Sequence, residues 1–355
     1  MGLTTIYTIR KENYMAHNIE TIAWANDVPW HKLGVKVESN LTPLQMLEAA
    51  ELNWTVSKRP SYTIDTPDWS DNVGLIQAED TYHIVRDSDN TILSHCGKNY
   101  VPFQNERVFE FFKRFTEAGD MTMETAGSLR NGKEIWGLAK ISDDFELAGG
   151  DEIGGYLLIN QPHVAGKSMT IKLTPIRVVC NNTLTLALEQ AGNHFRVPHV
   201  RDFNDQVVKT AEEALGLSKS KMQEFQQYAT TLSKAKAKHS DVIDYVAEIY
   251  QPDMLMQYKL EEKLRSEGKA VGIQEPLAEK LNKFPALAME GYYNSPGANL
   301  KSAKETWWGA FNAVTYVEDH LRTSQVKGNA LHSAWFGAGA NRKAKALDMA
   351  LSRAA

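Results

Sequence analysis

Residues 169–188, MTIKLTPIRVVCNNTLTLAL, constrain the chain most, because a strand pattern there meets a polar break and then an apolar run. Ile171, Leu173 and Ile176 lie among Thr170, Lys172, Thr174 and Arg177, and Pro175 interrupts the ladder, which predicts a half-buried strand with a kink or edge position. Val178-Val179-Cys180 should then enter the interior. Asn181, Asn182 and Thr183 are all N-cap residue types, and Leu184, Leu186 and Leu188 follow, so a short buried helix is expected to begin there.

Hairpin and helix signals surround this stretch. Strands are expected at Trp54–Lys58, Thr81–Arg86 and Thr91–Cys96, the last two joined by the turn cluster Asp87-Ser88-Asp89-Asn90. Thr122–Ser128, Glu134–Ile141 and Tyr156–Asn160 read as further strands. Asn131-Gly132 is the strongest short hairpin signal and sets Arg130 and Lys133 beside a tight turn. Gly149–Gly155 is rich in glycine, but its spacing matches no phosphate loop and its carboxylates repel phosphate, so a flexible connection is expected. Thr42 and Pro43 mark a helix start, and Val108, Phe111, Phe112 and Phe115 recur at helical spacing as core.

From Val207 onward the pattern becomes helical, with helices expected at Val207–Leu215, Ser218–Lys236, Ser240–Tyr250, Asp253–Glu267 and Pro276–Leu281. Trp307, Phe311, Val314 and Val317 form a further buried helical face. The predicted fold is α+β: an N-terminal antiparallel sheet packed by helices, followed by a mostly helical C-terminal region. Residues 1–14 read as an extension or flexible arm, 15–204 as the α+β core and 205–355 as the helical region.

The 355 residues are 43 % hydrophobic and 23 % charged, an ordinary globular balance, and the formal net charge of -5 excludes a protein that is basic overall. Any nucleic-acid site must be local. Cys96 and Cys180 sit in apolar surroundings and read as buried thiols in a reducing cytoplasm, and no apolar run is long enough for a membrane span.

Catalytic chemistry is weakly supported. Cys180 precedes the expected helix start, where a thiol pKa falls, and His163, His194 and His199 are candidate bases, but two valines before it direct the side chain to the core. His31, in the aromatic segment TIAWANDVPWHKLG, has no partner at metal spacing, and consecutive Glu318, Asp319 and His320 fan apart on a helix. No cofactor or metal is expected. The run Lys234-Ala235-Lys236-Ala237-Lys238 reads as a solvated helix end.

Between His163 and Arg201 the basic residues are Lys167, Lys172, Arg177, Arg196 and Arg201, against the single acid Glu189. Cations along a groove and flat side chains for bases are what a single-strand binder needs, and Tyr156, Phe195, Asn181 and Asn182 are candidates for the second role. With the hairpin cations, the predicted nucleic-acid-binding set is Arg130, Lys133, Lys167, Lys172, Arg177, Asn181, Asn182, Arg196 and Arg201.

PWHKLG at 29–34, ETAGSLRNGKEIW at 124–136, TPIRVVCNNTL at 174–184, WWGAFNAVTYVEDH at 307–320 and AWFGAGANRKAKAL at 334–347 occur in that order. Together, over roughly residues 15–350, they resemble the phage- and plasmid-associated family built on a bacterial domain of unknown function. The resemblance implies a mobile-element setting and no particular chemistry. The order of hairpins and helices is similar, as architecture only, to the core of phage single-strand annealing recombinases. The expectation is a homo-oligomer in the host cytoplasm that binds single-stranded DNA and anneals strands in phage or plasmid recombination or replication. The alternative is a non-catalytic interaction or counter-defence factor with a host or phage protein as partner.

Overall fold

The computed structural model describes residues 19–26, 34–65, 74–117, 121–141, 144–180, 182–183, 194–200, 218–269, 275–322 and 330–355. The extension at 1–14, His31, Asn181, the run Leu184–Leu188, Arg201 and the helix expected at Val207–Leu215 lie outside the described residues.

In chain order the elements are β1 (Ile19–Trp24), β2 (Val35–Lys36), α1 (Pro43–Ala49), β3 (Val56–Asp65), β4 (Gly74–Arg86), β5 (Thr91–Gly97), α2 (Asn105–Glu117), β6 (Met121–Leu129) and β7 (Glu134–Ile141). Then follow β8 (Phe145–Leu147), β9 (Asp151–Pro162), β10 (Ser168–Arg177), a 3-10 turn at Val178–Cys180, β11 (Asn182–Thr183) and β12 (His194–Pro198). The helices α3 (Ser218–Lys234), α4 (His239–Tyr250), α5 (Pro252–Ser266), α6 (Lys283–Asn294) and α7 (Trp307–Tyr316) come next. A π-turn at Val317–Leu321, α8 (Ala330–Phe336) and α9 (Ala338–Ala354) complete the described order. The fold is α+β, with mostly antiparallel sheets first and several helices after.

Two compact units form. The first draws on Met1–Ser142, Tyr156–Leu173 and His194–Leu217, the second on Asp143–Gly155, Thr174–Asn193 and Ser218–Ala355. The chain therefore does not divide at a single point near residue 204: the N-terminal part of β9 and the C-terminal part of β10 belong with the helices.

In the first unit β1, β6, β7 and the 156–162 part of β9 form an antiparallel run, with β2 parallel to β1 at the far side. The Arg130-Asn131-Gly132-Lys133 connection joins β6 to β7 as its sequence demands, with φ of 58°, 57° and 81° at its first three residues. Helix α2 lies on this sheet because Gly137 of β7 leaves room: a Cβ there would sit 3.2 Å from Phe112 and 3.3 Å from Phe109. Thr42 caps α1 in a capping box with Gln45. Strands β3, β4 and β5 make a separate antiparallel sheet.

Two buried histidines lock the inner side of this unit. Asn105 donates its amide to the carbonyls of Leu52 and Trp54, so its oxygen is an acceptor and His163 must donate to it from Nε2, at 2.8 Å. His199 is stacked between Tyr100 and Phe103, with centroids 4.9 and 4.2 Å away, and donates from Nδ1 to the Val101 carbonyl at 3.1 Å. Burial holds both rings neutral, pushing His163 down to about 3 and His199 down to about 4.

In the second unit β8 and β9 form a hairpin through Gly149 and Gly150, both at positive φ, so the expected flexible connection is a tight turn. Of the helix start expected at Asn181, only Asn182 and Thr183 are described, and both are extended. Asn182 and Thr183 pair with Arg177 and Ile176 as the short strand β11, and Val179 of the preceding 3-10 turn is exposed while Cys180 is buried. Helix α7 is the centre of this unit, buried along almost its whole length. Its close approach to the 302–306 segment requires Gly309, where a Cβ would lie 2.1 Å from the Ala303 carbonyl oxygen. The sequence anticipated neither β8 nor α6.

Because the unfolded chain protonates its histidines near 6.5 while the folded chain protonates these two only near 3 and 4, stability is full above pH 6.5 and falls as pH drops. Each ring contributes about 1.4 kcal/mol per pH unit in that window. Denaturant titrations between pH 7 and pH 5 should show this slope, and His199→Phe, which keeps a ring in the stack, should roughly halve it.

Candidate nucleic-acid interface

Strand β10 alternates strictly over its first half: Met169, Ile171 and Leu173 are buried, while Ser168, Thr170 and Lys172 are partly exposed. Its antiparallel partner β12 sets Pro198 opposite Ser168, Arg196 opposite Thr170 and His194 opposite Lys172. Directly opposed residues share a face, so Lys172 and exposed Arg196 stand on one polar face with Ser168 and Thr170. Phe195 pairs with Ile171 and therefore belongs to the other face, which removes it from the expected base-stacking set. Tyr156 lies opposite Lys140 across β7 and β9.

The Ser168–Pro198 rung also borders a cleft of about 510 Å³ in the same unit, lined further by Lys98, Tyr100, Lys167 and His199. Successive rungs on one face are about 6.8 Å apart, so the ladder runs on into the cleft, whose wall also includes Asp80, Ala165 and Val200. Charge along it is positive in excess. Arg130 and Lys167 both reach the same oxygen, Oε1, of fully buried Glu134, at 2.9 and 2.6 Å. Lys98 pairs with Asp80 at 2.9 Å, while Lys58 donates to the Lys98 and Tyr100 carbonyls. Lys133, in the hairpin turn, is partly exposed. Burial raises the Tyr100 hydroxyl well above its ordinary range, so it stays neutral behind the cleft wall.

Arg177 is a correction. It is 1 % exposed, and its guanidinium meets Asp151 through Nε at 2.7 Å and Nη2 at 2.8 Å, with Nη2 also donating to the Gly297 carbonyl. Asp151 further accepts from Ser302 Oγ at 2.5 Å and Trp308 Nε1 at 2.9 Å. This is a buried ion pair in the second unit and offers nothing to a ligand in solvent. Asn182 lies in β11 opposite Arg177. Thr183 is tied to two buried charges: its N–H donates to Asp319 at 2.8 Å, and its carbonyl and hydroxyl accept from fully buried Lys343, which pairs with Asp319 at 2.6 Å.

Of the expected set, Lys172 and Arg196 share the ladder face, and Arg130 and Lys167 share Glu134, with Lys167 in the cleft. Lys58, Lys98, Tyr100 and His199 of the same neighbourhood were not anticipated as site residues; no spacing in the sequence links residues 58 and 98 to residue 167. Cys180 is a buried free thiol, as is Cys96. Among the described residues no group of three His, Cys, Asp or Glu side chains is placed to hold a metal ion, and no helix is long and apolar enough to cross a membrane.

The geometry defines an α+β protein with a polar, cation-bearing β-ladder opening on a cleft. The chain belongs to the family of the domain of unknown function DUF932, whose model matches residues 92–350. That span takes in four of the five sequence blocks and leaves out PWHKLG. No curated protein and no solved structure matches the chain.

Removing one partner of a buried ion pair strands the other. Arg177→Ala should therefore cost about 3–5 kcal/mol in chemical denaturation. Arg196→Ala, exposed on the ladder, should stay within about 0.5 kcal/mol of the parent.

Proposed function

We propose that this chain binds single-stranded nucleic acid along the β10–β12 ladder and its cleft, in the service of a phage or plasmid, and that annealing of complementary strands is the use made of that binding. The observation that carries this reading is the juxtaposition of Lys172 and Arg196 on one polar strand face, continuous through the Ser168–Pro198 rung with the cleft that holds Lys98 and Lys167. A flat, polar sheet face with cations spaced along it suits an extended strand whose phosphates are met one after another. In a chain of net charge -5, such binding must be local and salt-sensitive.

A protein-binding role is the second reading, and it rests on the outer part of β3 and β4. Tyr62, Ile64 and Leu75 share a face there and are 53 %, 63 % and 70 % exposed. Apolar side chains gathered in this way suit a protein partner.

Fluorescence polarisation of a labelled oligonucleotide across a salt series separates the two. Binding to single strands should weaken steeply with salt, and Lys172→Ala combined with Arg196→Ala should flatten the log–log slope by about 1.4, the value for two lost phosphate contacts. Absence of binding to single strands at low salt sinks the nucleic-acid reading.

A further inference from the structure

The lysine run at residues 234–238 is not simply the solvated end of a helix. Helix α3 stops at Lys234, and the chain then runs extended: Lys236 bridges to Thr306, and the Ala237 N–H donates to the Glu305 carbonyl at 3.0 Å. Ala237 is buried, so its neighbours Lys236 and Lys238 are both turned outward and exposed. They border a cleft of about 460 Å³ within the second unit, whose other walls are His239, Tyr292, Tyr293 and Glu305.

The two tyrosines are held in place by different contacts. Tyr292 donates its hydroxyl to the Ala237 carbonyl at 3.2 Å and stands edge-on to Tyr293, with centroids 5.0 Å apart. The Tyr293 hydroxyl is 2.6 Å from Nδ1 of His239, yet the residue remains 50 % exposed. Its ring is thus fixed at the edge and at the tip while much of it faces solvent. A rigid aromatic surface flanked by two lysines has the chemistry of a base-and-phosphate site. An inorganic anion has no use for the ring, and an apolar ligand has none for the lysines.

We infer that this cleft binds a nucleotide, the base stacked on Tyr293 and the phosphate held by Lys236 and Lys238. The cleft belongs to the second unit and the β10–β12 ladder to the first, and the inference does not rest on the proposed function. The same chemistry is offered by a free mononucleotide and by one nucleotide of a strand.

Calorimetric titration of the full chain with adenosine 5′-monophosphate, a short oligodeoxyadenylate and inorganic phosphate tests it. In a Lys172→Ala, Arg196→Ala background, which removes the ladder's contribution to strand binding, both nucleotide ligands should bind, with affinity lowered about tenfold or more by Tyr293→Ala and kept within a few-fold by Tyr293→Phe, which retains the stacking surface. In the same background, Lys236→Ala with Lys238→Ala should weaken binding and its salt dependence. A Tyr293-dependent preference for the oligonucleotide assigns the site to a strand, and a preference for the mononucleotide assigns it to a free nucleotide. Nucleotide binding indifferent to Tyr293→Ala, absence of nucleotide binding, or equal competition by phosphate would each overturn the inference.

Discussion

The second unit is pinned by one carboxylate. Asp151, fully buried at the start of β9, accepts four hydrogen bonds, two from Arg177 at the end of β10 and one each from Ser302 and Trp308. Burying these charges is costly, and only a full set of partners offsets the cost. The geometry is therefore specific: the β8–β9 turn, the last residue of β10 and the start of α7 must all be in place at once. Lys343, Asp319 and Thr183 repeat the device one hairpin further along, at the π-turn that follows α7. Three of the sequence blocks, around residues 174–184, 307–320 and 334–347, supply Arg177, Thr183, Trp308, Asp319 and Lys343 to these two buried networks, while Asp151 and Ser302 come from outside them.

The first unit works differently. Its interior is closed by neutral histidines, aromatic stacking and apolar strands; Arg86 is held by both Glu20 and Asp89, whereas Arg130 and Lys167 share the one carboxylate of Glu134. Among the described residues Lys98, Lys167, Lys172 and Arg196 outnumber Asp80 and Glu134 along the strand face and its adjoining cleft, against the sign of the whole chain. Charge segregation of this kind has a stability cost through repulsion between like charges and gains a local attraction for a polyanion.

Much of the fold was legible in local pattern. Strand β7 was read at its observed bounds because Glu134–Ile141 is rich in β-favouring residues between a hairpin turn and a polar break, and α1 because Thr42-Pro43 is a helix start with its own chemistry. The β8–β9 hairpin was missed because Gly149-Gly150 gives the same signal for a tight turn and for a loose loop. Asn182 and Thr183 are extended where a helix start was expected, because N-cap residue types also suit short edge strands and the bonds Thr183 makes with Asp319 and Lys343 hold it in one. The site was half legible. Alternation in β10 assigns Lys172 to an outer face, but burial of Arg177 follows from Asp151, which lies 26 residues earlier in the sequence. No one-dimensional signal announces that pairing.

Uptake of single-stranded nucleic acid by one strand face of the first unit, as proposed, should leave a footprint in hydrogen–deuterium exchange with and without a saturating oligonucleotide. Added protection is expected in peptides covering residues 168–173 and 194–200, with residues 97–100 at the cleft. Protection confined to the β3–β4 ribbon, or no change along β10 and β12 under conditions where the oligonucleotide is bound, would contradict it.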